Sequence, residues 1–425
     1  MCRRYTILVT QPYQPRIADA SLVGLLRDFS AVSIVGPRAS GKTTTASRHA
    51  RTSLRLDDPG QSAVVRANPD ASLRGLPEPI LIDEWQEAPE VLGAVKRSVD
   101  ADPRPGRFLL TGSVRAELEG QTWPGTGRVV HLAMTTLSVR EQLGDVSAPP
   151  LLERVIASGA RSLRVPTPPL DVRDYVRLAL VGGYPEPALR LPERARAIWL
   201  DSYAQQLVTR DARGIDAARD PQRLRRFFEV LATNTGRVID EKTLYEAAGV
   251  HRVTADAYES LLRNLFVVEA IPAWFTNRLK RLIKAPKRYF LDAGLAASAM
   301  HTDEAGVMRD SDLLGQLLDT FVAAQFRADL AASPSRPRMY HVRTEGGRHE
   351  VDLLFEMTAG RVIAIEVKAA AAVDRKDARH LAWLREMLGE RFAYGLVLHT
   401  GPGLFELEDR ISAAPIGTIW TRPAA

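Results

Sequence analysis

The chain has one cysteine, Cys2, in 425 residues, which excludes an internal disulfide framework and any cysteine-based zinc cluster and fits a reducing cytoplasm. It also lacks any apolar run near the ~18 residues of a membrane span, so no membrane partner is expected. The start, MCRRYTILVTQPYQPR, turns polar at Gln11 and Pro12, too soon for a secretory signal. Excess charge of one sign is small: 57 basic against 51 acidic residues leave +6, which permits a nucleic-acid partner without demanding one. The rest is globular composition, 45% apolar and 25% charged, with length for two or three cores.

Against that background one stretch stands out. Ala31 to Thr45 reads AVSIVGPRASGKTTT: a short β-branched run, then G-x-x-x-x-G-K-[ST], then a helix predicted through Ala50. Gly36, Pro37, Arg38, Ala39, Ser40 and Gly41 form a loop whose amides can point inward at a polyanion, and the helix opened by Lys42, Thr43 and Thr44 presents its positive end there. Such a loop cradles the phosphates of ATP, with Lys42 at the β- and γ-phosphates and the Thr43 hydroxyl on Mg²⁺.

A second signal agrees with the first. Ile80-Leu81-Ile82-Asp83-Glu84 is an unbroken apolar run ending in two acids, as in a strand buried on both faces of a parallel sheet. At its carboxyl end Asp83 can reach Mg²⁺ through water and Glu84 can polarise the attacking water. RFLLTGS, from Arg107 to Ser113, reads as a further strand; Thr111 or Ser113 is a candidate γ-phosphate sensor, or equally a cap on the next helix. Helices are predicted over Ile17–Phe29 and Pro89–Val99. A strand is predicted at Ser53–Asp58, beside the first, with a polar segment from there to Asp83.

GPRASGKT, ILIDE, FLLTGS and GRVVHLAMTTLSVREQL, in that order, resemble the AAA-type ATPase half of a large bacterial and archaeal family of ATP-binding proteins. The C-terminal half of that family is a domain of unknown function. GGYPEPA at Gly182, KRYFLDAGLAA at Lys287, GQLLDTFVAAQF at Gly315, EVDLLFE and VIAIEVKAA extend the resemblance along nearly the whole chain. It implies a place for Arg128 as a subunit-to-subunit arginine finger, the alternative being a strand-flanking surface residue. AAA-type relatives often form rings, but no small helical lid with its own arginine sensor can be picked out, so an oligomer is left unsupported.

Prolines at 149, 150, 166, 168 and 169, with a polar helical stretch between them, give the stretch from Gly144 to Leu170 a linker composition and place a domain boundary near it. Helical patterns follow to Thr235. From Glu241, KTLYEAAG, VTADAYESLLRNLF and VVEAIPAW read as helix, turn, helix and strand, the outline of a winged helix, with Thr254 as the cap of the second helix. Arg278, Lys280, Arg281, Lys284, Lys287 and Arg288 then fall within eleven residues. They are either a salt-dependent DNA or RNA footprint or a solvated ribbon.

HEVDLLFE and RVIAIEVKA read as two strands around a short turn. For Asp352 and Glu366 to share a face, paired residues must sum to an even number, which requires a loop of odd length or a bulge. The result, Asp352, thirteen residues, then Glu366-x-Lys368, resembles the metal-binding core of restriction-endonuclease-like folds. That resemblance implies Mg²⁺ on Asp352 and Glu366, a helical acid at Asp319 where the family more often has Glu, and Lys368 orienting or activating water. Two carboxylates ~4 Å apart repel by ~4 kcal/mol at an effective dielectric near 20. A divalent ion would offset this, and so in part would Lys368. A helix over DARHLAWLREMLGERF and a core strand at YGLVLHT complete the pattern, with His380 a helix-surface or packing residue.

The fold expected is α/β: a P-loop NTPase parallel sheet (1–145), a linker and helical region (146–220), a winged-helix region (221–300) and a mixed α/β restriction-endonuclease-like domain (301–425). The function expected is Mg²⁺-dependent ATP hydrolysis coupled to binding or cutting nucleic acid. The alternative is a nucleotide-gated binding protein with an inactive nuclease-like fold.

Overall fold

The computed structural model describes residues 13–112, 126–209, 220–276, 284–358 and 360–422. Cys2, Ser113, Arg278, Lys280 and Arg281 lie outside the described residues. Strand β1 (Ala31–Val35) follows a helix at Ala18–Asp28, and β2 (Thr52–Arg55), β3 (Ile80–Asp83), β4 (Phe108–Gly112) and β5 (Val129–Ala133) complete one parallel sheet in the order β2-β3-β4-β1-β5. β3 and β4 are buried at every position because helices cover both faces. Ile82 and Leu110 pack toward Val91 and Val95 of the helix Val91–Ala101, while Leu81 and Leu109 pack with Leu22 and Ala46 on the other face. That explains the unbroken apolar runs.

Two sequence expectations shift here. β2 lies at the sheet edge beside β3 rather than beside β1. The polar segment after it holds two helices, Pro59–Ala67 and Pro69–Leu73, each opened by a proline and capped by the preceding Asp58 or Asn68 side chain.

The proline-marked stretch read as a linker carries the helix Leu151–Ser158, whose Leu151, Leu152 and Val155 are buried in the same core as Phe355, Ile363 and Leu396. Its prolines mark turns around a packed helix. A helical core follows, built from Glu193–Thr209, Pro221–Thr233, Glu241–Ala248, Arg252–Asn264 and Ala293–Ala299. The antiparallel pair β6 (Val268–Ile271) and β7 (Lys287–Phe290) lies against it. The helix Arg252–Asn264 starts after His251, so Thr254 lies inside it and does not cap it.

The C-terminal sheet is mixed. β8 (Arg338–Arg343), β9 (Glu350–Glu356), β10 (Val362–Lys368), β11 (Phe392–His399), β12 (Phe405–Glu408) and β13 (Ile411–Pro415) assemble in the order β12-β13-β11-β10-β9-β8. Alternation sorts the strands: Leu353, Phe355, Ile363 and Ile365 face the long helix Ser311–Leu330, while Leu354, Val362 and Ala364 face the helix Arg379–Leu388. Among the described residues no helix is long and apolar enough to cross a membrane.

Candidate functional site

The phosphate loop sits at the carboxyl ends of β1, β3 and β4. A Cβ on Gly36 would lie 1.9 Å from the Met134 carbonyl oxygen, so only glycine lets the chain leave β1 there. Ala39 (φ 58) and Gly41 (φ 92) are left-handed and bend the loop back to the helix Lys42–Ser47. Lys42 is buried, and its Nζ donates to the carbonyls of Gly36 (3.0 Å) and Pro37 (2.7 Å). Burial pulls its ammonium down to about 8, against the upward pull of Glu84 and Asp83.

Parallel pairing sets Asp83 beside Thr111, whose hydroxyl donates to Asp83 Oδ1. Thr43 Oγ1 donates to the same oxygen at 2.8 Å. The expected γ-phosphate sensor Thr111 is thus placed on the Asp83 carboxylate. Glu84 follows in a left-handed conformation (φ 52), with Oε2 held by the Gln86 amide. Lys42, Thr43 and Glu84 line a cleft of about 1030 Å³, together with Arg38, Thr44, Tyr13 and Pro185. Thr43 and Asp83 offer adjacent oxygen donors, as a hard divalent ion requires, so this site fits Mg²⁺. Arg128 lies at the opposite end of the sheet, just before Val129, which pairs with the first residue of β1; it is ion-paired with Asp100 at 2.8 Å.

Sequence reasoning missed the brace behind the loop. Arg16 donates to the carbonyls of Ser40 and Thr135, both at 2.7 Å, and its Nε meets Glu141 Oε1 at 2.9 Å in a buried pair. Glu141 also closes a capping box with Ser138. That S-x-x-E spacing was legible; its capture of Arg16 was not. Tyr203 donates to the Arg38 carbonyl at 3.2 Å, linking the helix Glu193–Thr209 to the loop.

The motif GGYPEPA forms a junction. Leu137 N–H donates to the Gly183 carbonyl (2.6 Å), and Gly183 N–H donates to Asp292 Oδ2 (2.7 Å). Asp292 is buried, which raises its pKa, and its other oxygen caps the helix Ala293–Ala299 through Leu295 N–H at 2.9 Å. Pro185, two residues beyond Gly183, lines the nucleotide cleft, so the same loop touches both the cleft and the Asp292 anchor.

The C-terminal acids do come together. β9 and β10 pair with every partner summing to the same even number across a five-residue loop, so continuing the register sets Asp352 opposite Glu366. Asp319, Asp352, Glu366 and Lys368 share a cleft of about 330 Å³ with His380 and Gln316. The missed residue is Lys287, whose Nζ lies 2.7 Å from Asp319 Oδ2 and 3.0 Å from Asp352 Oδ1. Lys368 instead pairs with Glu366 at 2.7 Å. Burial raises the pKa of Asp319 and of Glu366, the latter further through the Asp352 charge. For Asp352 burial acts the same way, but Lys287 and the Val367 N–H outweigh it and leave the group low. Among the described residues no three His, Cys, Asp or Glu side chains are arranged to hold a metal ion, so the ligand set expected from the resemblance does not fit.

The basic cluster is also reduced. Lys284 is exposed, but Lys287 and Arg288 are buried, Arg288 against Glu259 at 2.9 Å. Those two cannot contact a phosphate backbone. Period-two spacing puts Lys287 and Tyr289 on one face of β7, a signal that was available; that this face meets Asp319 was not.

Comparison with known proteins agrees with the loop. Residues 28–143 match an AAA domain, 172–306 a domain of unknown function (DUF8612) and 314–419 a second one (DUF4143). Uncharacterized proteins Rv2008c of Mycobacterium tuberculosis and Mb2031c of Mycobacterium bovis are each 27% identical over 409 residues, 96% of this chain and 84% of theirs. A solved structure, the Bacillus subtilis DNA clamp loader delta protein (YqeN), aligns over 71% of this chain and 99% of its own at 12% identity. Its TM-score of 0.24 is too low to support an argument. Residues 28–143 are an AAA-type ATPase region of the nucleotide-binding class, followed by two domains of unknown function.

Proposed function

We propose that the chain binds and hydrolyses Mg²⁺-ATP at the Gly36–Thr44 loop and passes the nucleotide state to a nuclease-like C-terminal domain. The observation that carries this reading is the Thr43 hydroxyl on Asp83 Oδ1 at 2.8 Å, with Lys42 and Glu84 lining the same cleft as Thr43. Thr43 and Asp83 would hold the ion, which neutralises phosphate charge and steadies the leaving oxygens. Lys42 exchanges its bonds to the Gly36 and Pro37 carbonyls for phosphate oxygens. Glu84 orients the attacking water, and Thr111 fixes the Asp83 carboxylate.

The proposed divisions are 1–145, 146–220, 221–300 and 301–425, the third resembling a winged helix and the last a restriction endonuclease. Coupling is supported by the Leu137–Gly183–Asp292 bonds, which run from the ATPase sheet toward β7. Nucleic acid remains the proposed partner of residues 278–284. The second reading, a nucleotide-gated binding protein whose nuclease-like fold does not cut, is favoured by Lys287 between Asp319 and Asp352.

The test is phosphate release with and without duplex DNA, single-stranded DNA and RNA. Lys42→Ala should abolish turnover, and unchanged turnover would refute the assignment. Stimulation by one polymer names the partner, while Mg²⁺-dependent cutting lost in Asp352→Ala would favour the nuclease over the second reading.

A further inference from the structure

The two aspartates of the C-terminal cluster are already served from inside the chain. Asp319 Oδ2 takes Lys287 Nζ at 2.7 Å, and Tyr289 OH lies 3.0 Å from both Asp319 oxygens. Asp352 Oδ1 takes Lys287 Nζ at 3.0 Å and its Oδ2 takes the Val367 N–H at 2.9 Å. Each of the four oxygens has a donor. The Lys287 side chain is 2% exposed, so this ammonium is not a surface group that has folded inward.

Its position is built in. β7 is held in register by β6, with Ile271 opposite Lys287 and Val268 opposite Phe290. Just beyond the strand, Asp292 is tied to Gly183 and Leu295. The strand cannot slide without breaking both.

An ammonium and a divalent ion compete for this space. A magnesium ion binds carboxylate oxygens at roughly 2.0–2.1 Å. A double charge ~3 Å from the ammonium would repel it strongly, because little water lies between them to screen it. Lys368 adds a second positive charge on Glu366 Oε1, leaving Glu366 Oε2 as a single buried oxygen without a hydrogen-bond partner among the described residues. One lone oxygen beside two lysines is a poor ion site.

We infer that Lys287 is the resident counter-ion of the Asp319–Asp352 pair, a tethered ammonium where a divalent ion would otherwise sit, so that this centre assembles without metal. Two lysines against Asp319, Asp352 and Glu366 leave at most one net negative charge in the cluster. Its purpose is then to fix β7 to β9 and to the helix Ser311–Leu330. The inference stands apart from the ATPase reading, since neither loop nor nucleotide enters it.

The test is Mn²⁺ titration of the full-length, nucleotide-free chain, following free ion by electron paramagnetic resonance, with folding checked by circular dichroism. Wild type and Asp352→Asn should bind Mn²⁺ alike. Lys287→Met should gain one site, absent again from Lys287→Met/Asp352→Asn. Mn²⁺ bound by wild type and weakened tenfold or more in Asp352→Asn would overturn the inference, as would a folded Lys287→Met with no added site. Should Lys287→Met fail to fold, the comparison of wild type with Asp352→Asn decides alone.

Discussion

The hydroxyl of Thr43 donates to Asp83 Oδ1 at 2.8 Å, so the residue after the loop lysine and the last residue of β3 meet across 40 positions of chain. Neither motif predicts the contact alone. It arises because β3 and β1 both flank β4 and therefore end at the same level, which brings Glu84 to the mouth of the cleft as well.

The proposed hydrolysis gives Glu84, which lines the cleft, the task of handling the proton of the attacking water. Removing a positioned base typically costs a reaction roughly 10²–10⁴-fold. Glu84→Gln should therefore lower phosphate release by about that factor while leaving nucleotide affinity within a few-fold. Parallel phosphate-release and fluorescent-nucleotide titrations check this, and a loss of binding equal to the loss of turnover would contradict it.

Gly183 carries a different prediction. A Cβ there would lie 2.2 Å from the Leu137 carbonyl oxygen and 2.8 Å from its nitrogen, both backbone atoms that cannot swing away. Gly183→Ala should destabilise the chain by about 1–3 kcal/mol. Gly24, inside the helix Ala18–Asp28, would carry a Cβ with no neighbour within 4 Å, so Gly24→Ala should stabilise by roughly 0.5–1 kcal/mol. Paired melting curves should move in opposite directions.

These positions also mark how far the sequence could be read. The loop, the acid pair at Asp83 and Glu84 and the face shared by Asp352 and Glu366 were legible because each depends on local spacing: a fixed motif, an apolar run, a parity rule. Arg16, Lys287 and Asp292 were not, because each acts on residues brought near only by folding, Lys287 on Asp352 from 65 positions away. The burial of the helix Leu151–Ser158, expected as a polar helical stretch, was hidden for another reason. Five prolines around it carry the composition of a linker, and only the packing of Leu151 and Val155 against the C-terminal core distinguishes the two.

Asp292 tests whether the junction holds the chain together. It accepts from two backbone donors, Gly183 N–H and Leu295 N–H, and is buried. Asp292→Ala loses a helix cap, typically ~1 kcal/mol, and leaves a buried donor unsatisfied at ~1–3 kcal/mol. A loss of about 2–4 kcal/mol in urea denaturation is expected, and Asp292→Asn, which keeps one acceptor oxygen, should lose less. Equal losses would mean that the charge, not the hydrogen bonds, holds the junction.

His341 supplies a pH dependence whose sign follows from its surroundings. It lies in β8 at 1% exposure, with Nε2 3.2 Å from the Ala285 carbonyl oxygen and, among the described residues, no hydrogen-bond partner for Nδ1. Burial lowers its pKa from 6.5 to about 4, helped by the charges of Lys287 and Arg343 and opposed by Ala285 and Asp352. The unfolded chain thus takes up this proton near pH 6.5 and the folded chain only near 4. Stability that is complete above the higher value is lost as pH falls through that window, by about 2–3 kcal/mol at pH ~4.5. Asp319, Asp329 and Glu366 have raised values, which act in the opposite sense, so the contribution is read from a difference rather than from wild type alone. His341→Gln keeps a donor for Ala285 but cannot titrate. Its stability relative to wild type, measured by urea denaturation, should improve by about 2–3 kcal/mol between pH ~7.5 and ~4.5, and a gap that stays constant would show that His341 is charged in the folded chain.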